Sequence, residues 1–268
     1  MPANEAVDNA AMAARIAECV REAGTLALSM FGRPLRQWVK GASSPVCDAD
    51  IAVDELLRRR LREIDGGIAW LSEESADDPA RLEARLVFII DPIDGTRAFL
   101  AGRPDWAVSV ALVADGRPMV GCLYAPVPGQ MFVATAGHGA TCNGAALAAT
   151  KGSGLIDLRI AGPKRIAEEI GALTPRATIV PRVHSLALRL AGVAQSSFDV
   201  AFAGDNSHDW DLAAADLLVH EAGGALTSLH GGAVIYNRPV PRHGMLVAAG
   251  RDRHAALIEL LEQRRLVS

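Results

Sequence analysis

The chain lacks most of the marks of several large protein classes. Aromatic residues make up only 4% of its 268 residues, and it has two tyrosines. Its four cysteines, Cys19, Cys47, Cys122 and Cys142, stand far apart with no C-x-x-C pair. That excludes the common zinc and redox motifs and fits free thiols in a reducing, cytoplasmic compartment. A basic surplus is also missing: 27 Lys and Arg against 31 Asp and Glu give −4. A nucleic acid polymer is therefore not expected as partner. The first twenty residues carry Glu5, Asp8, Arg15 and Glu18 and no apolar signal core. Pro118 to Thr150 contains no charged residue, yet its prolines and glycines break it into strands and turns, so no membrane span is expected.

What remains is ample core material, since half the residues are apolar. At roughly 150 residues per domain, the length allows one large domain or two joined halves. No repeat and no long linker separates them. Ile16, Val20, Ala23, Ala27 and Met30 recur at helical spacing and predict a helix over 10–30. A short strand over 37–40, a loop over 41–45 and a helix over 48–64 follow, with Ile51, Leu56, Leu57 and Leu61 facing inward and the Arg58–Arg62 run in solvent. Apolar runs at 68–71 and 86–90 read as strands ending at acids. Strands over 106–113, 119–124 and 131–134 make an antiparallel meander with turns at Asp115-Gly116 and 126–129. Beyond Lys151, strands at 158–161, 178–180, 200–203 and 246–249 alternate with helices at 185–192, 211–223 and 255–265. That alternation predicts an α/β half with much parallel pairing. The expected division is an α+β half over 1–150 and an α/β half over 151–268, joined as one inseparable catalytic unit. The four tryptophans are expected in the core.

The chemistry concentrates in three acid clusters. In Asp91-Pro-Ile-Asp-Gly-Thr96 an apolar strand stops at Asp91, and Asp94 follows where a turn can aim both carboxylates at one point. Gly95 permits close backbone approach, and Thr96 is placed to cap a short helix over 97–101 whose amides would face an anion. Ser72-Glu-Glu-Ser75 ends another apolar run. His208-Asp-Trp-Asp211 opens a helix, with Asp211 also readable as its N-cap. Carboxylates beside free amides suit a hard cation sharing a site with a phosphate. Without a partner, each cluster also reads as an ordinary turn, acidic loop or cap.

Taken together, Leu71-Ser-Glu-Glu-Ser75, Asp91-Pro-Ile-Asp-Gly-Thr96, Trp210-Asp-Leu-Ala-Ala214 and Glu221-Ala-Gly-Gly224 resemble the inositol monophosphatase superfamily. The resemblance implies a layered αβαβα sandwich and phosphate monoester hydrolysis by two or three Mg2+ ions, inhibited by Li+. It also implies a homodimer. By the same resemblance Glu73, Asp91 and the Ile93 carbonyl hold one magnesium, and Asp91, Asp94 and Asp211 a second. Gly95 and Thr96 give amides to the substrate phosphate. Glu73 and Thr96 position the attacking water, Asp50 supports Thr96, and Lys40 lies nearby. Cys47 stands where many relatives carry threonine, so a polar hydrogen bond is expected to weaken there.

For the substrate, Gly204 occupies the place of the glutamate that binds inositol hydroxyls in the resembling enzymes, with the shorter Asp205 beside it. Leu71-Ser72, Tyr124-Ala-Pro-Val127, Tyr236-Asn237 and Ser185 resemble the 3'(2'),5'-bisphosphate nucleotidase branch. The expected substrate is the 3'-phosphate of adenosine 3',5'-bisphosphate. Inositol phosphate and histidinol phosphate are the alternatives, the latter through Asp94-Gly-Thr-Arg-Ala-Phe99. A non-catalytic metabolite-binding regulator on the same fold is the rival of another class.

Overall fold

A computed structural model describes residues 3–40 and 44–263. Two sheets carry most of the fold. The first has seven strands in the order Ala69–Ser72, Leu86–Asp94, Ala107–Ala114, Arg117–Ala125, Gln130–Thr135, Ala140–Cys142 and Ala145–Ala146. Only its first pair is parallel. The second has five strands. In it Arg159–Ala161 runs parallel to Thr178–Ile179 and Val200–Ala203, while Leu246–Gly250 is antiparallel to Val200–Ala203 and Gly224–Ser228. Two of its four strand pairings are thus parallel, in line with the alternation of strands and helices, and two are antiparallel.

Side-chain alternation explains the layering. Along the central strands Phe88, Ile90, Val108, Val110 and Leu112 face one way, into a core shared with α1 (Ala3–Met30) and α2 (Asp48–Ile64). Val87, Ile89, Ala107, Ala111 and Val113 face the other way. There they meet α5 (Leu186–Ala194) and α6 (Asp209–Glu221), which also cover the inner face of the second sheet. α4 (Lys164–Leu173) and α7 (Arg251–Gln263) close its outer face over Ile160, Phe202 and Val247. A strand buried on both faces needs apolar residues at every position, and all eight residues of Ala107–Ala114 are buried. The result is the expected five-layer αβαβα sandwich. α6 comes so close to the first sheet that a Cβ on Gly121 would stand 2.7 Å from the Ala214 carbonyl.

Several expectations change. Strand Leu86–Asp94 does not stop at Asp91 but continues to Asp94 past a register shift. Ser44 and Pro45, expected in a loop, begin a strand, Ser44–Cys47, that pairs with Gln37–Lys40; the rest of that loop, residues 41–43, lies outside the described residues. α4 was not foreseen, although Lys164–Glu168 and Arg165–Glu169 show helical i,i+4 charge spacing. Ile51 and Leu56 are only half-buried. Arg60 pairs with Glu22 and Glu63 instead of standing in solvent. Of the tryptophans only Trp106 is buried; Trp38 is 44% exposed, because its strand belongs to an outlying hairpin. Among the described residues, no helix is long and apolar enough to cross a membrane.

Candidate active site

Three chain segments deliver acids to one cavity of about 680 Å³. Strand Leu86–Asp94 brings Asp91 and Asp94, the end of Ala69–Ser72 brings Glu73, and the start of α6 brings Asp211. Asp91, Asp94 and Asp211 offer carboxylate oxygens all within 4.8 Å of one another. Burial raises the Asp91 carboxyl well above its ordinary range, and Glu73, Asp94 and Asp211 push it further. Burial acts likewise on Asp211, with Asp94 next. Glu73 rises to about 7, again mainly through burial, with Lys40 opposing. Like charges held this close repel unless a proton or a cation joins them.

Asp94 is also tied to α5. It accepts hydrogen bonds from Ser185 Oγ at 2.5 Å, the Ala187 amide at 2.6 Å and the Leu186 amide at 3.1 Å. Ser185 is fully buried and caps α5 through the Leu188 amide. It therefore orients Asp94 from behind and does not line the cavity, contrary to its expected substrate contact. Asp211 is not an N-cap either: His208 is, and Asp211 accepts the His208 amide at 2.6 Å from the third helical position.

The turn after Asp94 depends on Gly95, whose φ of +99° is a conformation that favours glycine. A Cβ there would also lie 3.1 Å from the Asp105 carbonyl. Gly95 is the cap of α3 (Thr96–Leu100), so Thr96 starts the helix rather than capping it. Its hydroxyl stands 3.1 Å from both Asp50 Oδ1 and the Ile93 carbonyl. One hydroxyl proton serves these two acceptors. Asp50, buried behind the cavity, also accepts the Cys47 amide at 2.8 Å and its thiol at 2.9 Å. Cysteine thus keeps a donor on Asp50, so the expected weakening is offset. Burial pushes the Cys47 thiol up to about 12. Under native conditions a thiol reagent is expected to label half-buried Cys142 before Cys19, Cys47 and Cys122. Mass spectrometry of the first-labelled peptide checks this, and early labelling of Cys47 would contradict the packing.

Lys40 lines the cavity, bonds the Glu73 carbonyl and lies 3.1 Å from Glu74. Asp205 is exposed and outside the cavity lining; its neighbour Asn206 lines it instead. The residues read as nucleotide marks are structural. Tyr236 is buried with its hydroxyl on Asp216 at 2.8 Å, the Asn237 amide binds Asp209, and Tyr124 packs against Gly24 and under Arg21. The wall that sequence reasoning missed holds Arg182, His184, Asn206 and Arg242, with Arg97 and the stacked pair His208–Trp210 at 4.6 Å. Arg182, His184, Asn206 and Arg242 follow no motif spacing, so the sequence offers no signal for them, whereas Arg97, His208 and Trp210 stand inside the quoted motifs.

The inositol monophosphatase family model matches residues 7–266, nearly the whole chain. The chain belongs to the inositol monophosphatase family. It is 30% identical to "Inositol monophosphatase 2" of Solanum lycopersicum over 220 residues, 77% of this chain and 83% of that protein. It is 35% identical to "Histidinol-phosphatase" of Mycobacterium tuberculosis over 209 residues, 74% of this chain and 79% of that protein. In three dimensions it resembles the extragenic suppressor protein SuhB of Bartonella henselae. That match has a TM-score of 0.84 at 28% identity and covers 94% of this chain and 99% of the other. Family members are phosphatases, and the acid cluster sits where this chain brings its family motifs together.

Proposed function

We propose that the protein hydrolyses a small phosphate monoester with magnesium, and that its leading substrate is the 3'-phosphate of adenosine 3',5'-bisphosphate. The observation that carries the reaction class is the convergence of Asp91, Asp94 and Asp211 within 4.8 Å. Family members are magnesium-dependent. The donor set fits that ion: hard carboxylate oxygens, with no Lys or Arg ion pair to any of the three among the described residues. In this reading Glu73, Asp91 and the Ile93 carbonyl hold one ion, and Asp91, Asp94 and Asp211 another. When bound, such ions bring a water toward deprotonation at neutral pH and neutralise charge on the phosphate and the leaving oxygen.

The protein's own part is positioning. Glu73 and the Thr96 hydroxyl orient the attacking water. By donating its hydrogen bond to Asp50, the Thr96 hydroxyl keeps its oxygen as acceptor for the water. The first-turn amides of α3 have no helical partner, and those of Gly95 and Thr96 take the phosphate oxygens. Lys40 holds Glu73 through its carbonyl. Ser185 keeps Asp94 aimed at the site. Residues 1–150 and 151–268 work as one unit, supported by the Asp94–Ser185 bond and by Arg81, which reaches Asn237 Oδ1 at 2.7 Å. The same reading includes a homodimer, checked by analytical ultracentrifugation.

For the substrate, the cationic rim of Lys40, Arg97, Arg182 and Arg242 supports a ligand with more than one negative group. The second reading is histidinol phosphate, favoured by the 35% identity to the mycobacterial histidinol-phosphatase. Phosphate release is measured on adenosine 3',5'-bisphosphate, inositol 1-phosphate and histidinol phosphate, with Mg2+ and with chelator. Magnesium-dependent preference for the nucleotide is expected. Preference for either alternative reassigns the substrate, and no release from any of the three would favour a non-catalytic metabolite-binding regulator.

A further inference from the structure

Glu73 and Thr96, the two groups that orient the water, come from different segments: Glu73 from the end of strand Ala69–Ser72, Thr96 from the start of α3. Their separation is therefore not set within either segment. One helix reaches both. α2 carries Asp50 in its first turn and Asp54 four residues later. Residues four apart share a helix face and stand about 6 Å apart along the axis. Both acids are buried, at 1% and 7% exposure, and neither lines the acid-lined cavity. Burying a carboxylate is costly unless donors replace the water around it. Asp50 meets this need partly through the Thr96 hydroxyl.

The donors that Asp54 takes flank Glu73 and Glu74. Ser72 Oγ donates to Asp54 Oδ1, and Ser75 Oγ donates to Oδ2 at 2.6 Å. Both carboxylate oxygens are thus engaged with the one segment that carries Glu73. Ser72 is buried, and Ser75 in turn accepts the Trp70 indole N–H at 3.2 Å. Successive side chains of an extended segment point to opposite sides. Ser72 turned toward α2 therefore turns Glu73 the other way, into the cavity. The Glu73 amide donates to the Ile90 carbonyl at 3.2 Å, and Lys40 takes the Glu73 carbonyl from the cavity side. The backbone of Glu73 and the two serines that bracket the acid pair are then fixed.

We propose that Asp54 is a positioning residue for the hydrolysis: through Ser72 and Ser75 it sets the Glu73 carboxylate against Thr96, which Asp50 holds from the same face of α2. The proposal rests on the phosphatase reading of the acid-lined cavity and deepens it. Two groups that share one water need a fixed separation, and α2 supplies it as a rigid element packed on strand Leu86–Asp94. Asparagine at 54 keeps the shape and one acceptor oxygen, but its amide nitrogen cannot accept the second hydroxyl. Alanine removes both acceptors.

The test measures kcat and KM at saturating Mg2+, on the ester that wild type hydrolyses fastest, in Asp54→Asn, Ser75→Ala, Asp54→Ala and the Asp54→Ala, Ser75→Ala double variant. Asp54→Asn and Ser75→Ala are each expected to lower kcat by about tenfold, and Asp54→Ala by a factor on the order of 10². KM is expected to change by less than about twofold, since none of these side chains meets the phosphate-binding amides. The double variant is expected to match Asp54→Ala, because the second change cuts a contact already lost. If Asp54→Ala does not fold, Asp54→Asn and Ser75→Ala decide. Amide hydrogen exchange in chelator gives a reading without metal or turnover. The Glu73 and Glu74 amides are expected to exchange about tenfold faster in Asp54→Asn and Ser75→Ala, with a smaller change in strand Ala107–Ala114, which reports global stability. Unchanged kcat in both variants, or a loss confined to KM, overturns the proposal even if the proteins melt lower. Additive losses in the double variant overturn it as well. Faster exchange at Glu73 and Glu74 in a protein that hydrolyses none of the three esters supports Asp54 as the anchor of Glu73 and overturns the phosphatase reading instead. Wild-type exchange and wild-type kcat, with hydrolysis intact, overturn the anchor and leave the phosphatase reading standing.

Discussion

Asp91→Asn is expected to lower magnesium-dependent phosphate release by a factor on the order of 10³ while the chain still folds. Asp91 is 1% exposed, sits at the centre of the acid cluster and is assigned to both metal positions. Asparagine keeps the shape and the oxygen that accepts the Ile93 amide at 3.0 Å. It removes the charge that a magnesium ion needs. The same change has an opposite effect on the metal-free fold. The Asp91 carboxyl is raised by burial and by its acidic neighbours, so its ionised form destabilises the folded state. Sign and window follow from that direction. The group's contribution to stability is fullest below the ordinary aspartate pKa and is lost as pH rises through the elevated folded value. In chelator near neutral pH, Asp91→Asn should therefore melt higher than wild type. Added Mg2+ should raise the wild-type melting temperature and leave the variant's nearly unchanged, since a ligand stabilises only the state that binds it. Equal turnover by the variant would contradict the metal assignment. A lower melting point in chelator would contradict the account of mutual repulsion.

Trp106→Ala is expected to cost roughly 3–5 kcal/mol of folding stability, the largest effect of any substitution outside the acid cluster. Trp106 is fully buried, edge-on to Phe99 at 4.9 Å and tilted against Phe31 at 5.5 Å. Phe99 lies on α3, directly behind Gly95 and Thr96, so the aromatic cluster supports the loop that faces the phosphate. Deleting the indole opens a void that the sheet cannot close, because strand Ala107–Ala114 is pinned on both faces. Calorimetry should show a melting temperature lower by roughly 10 °C. Trp106→Phe should cost less, since among the described residues the Trp106 Nε1 has no acceptor and its loss removes an unsatisfied buried donor. Trp38→Ala, on the outlying hairpin, should shift the melt by no more than ~2 °C. A Trp106→Ala protein that melts with wild type would mean that the cluster does not hold α3 in place.

Much of the frame was legible because it depends on local periodicity. Ile16, Val20, Ala23 and Ala27 lie on one face of α1 and are all buried, as helical spacing predicts. The meander turned where Asp115-Gly116 and the prolines near 126 required. The acid motifs were legible for a different reason. Each places a carboxylate at the end of an apolar run or the start of a helix, and the layered fold brings those ends to one side. Where the reading failed, a distant partner decided the outcome. Ser185 read as a ligand contact and is a buried bond to Asp94, ninety-one residues earlier in the chain. Tyr236 and Asn237 read as specificity marks and are held by Asp216 and Asp209 in the core. Asp205 read as a replacement acid, but the backbone turns its neighbour Asn206 toward the cavity instead.

The sequence by itself determined the family, the alternating strands and helices, and which carboxylates gather. These follow from residue spacing along the chain, and spacing survives any rearrangement of loops. Only the tertiary structure decided what surrounds those carboxylates. Arg182, Asn206 and Arg242 come from segments outside the acid motifs, and no local pattern sets their direction. Their placement depends on how α4, α5 and the five-stranded sheet stack against the strand that carries Asp91 and Asp94. Charge and shape at the substrate end of the cavity are therefore properties of packing, and packing is long-range.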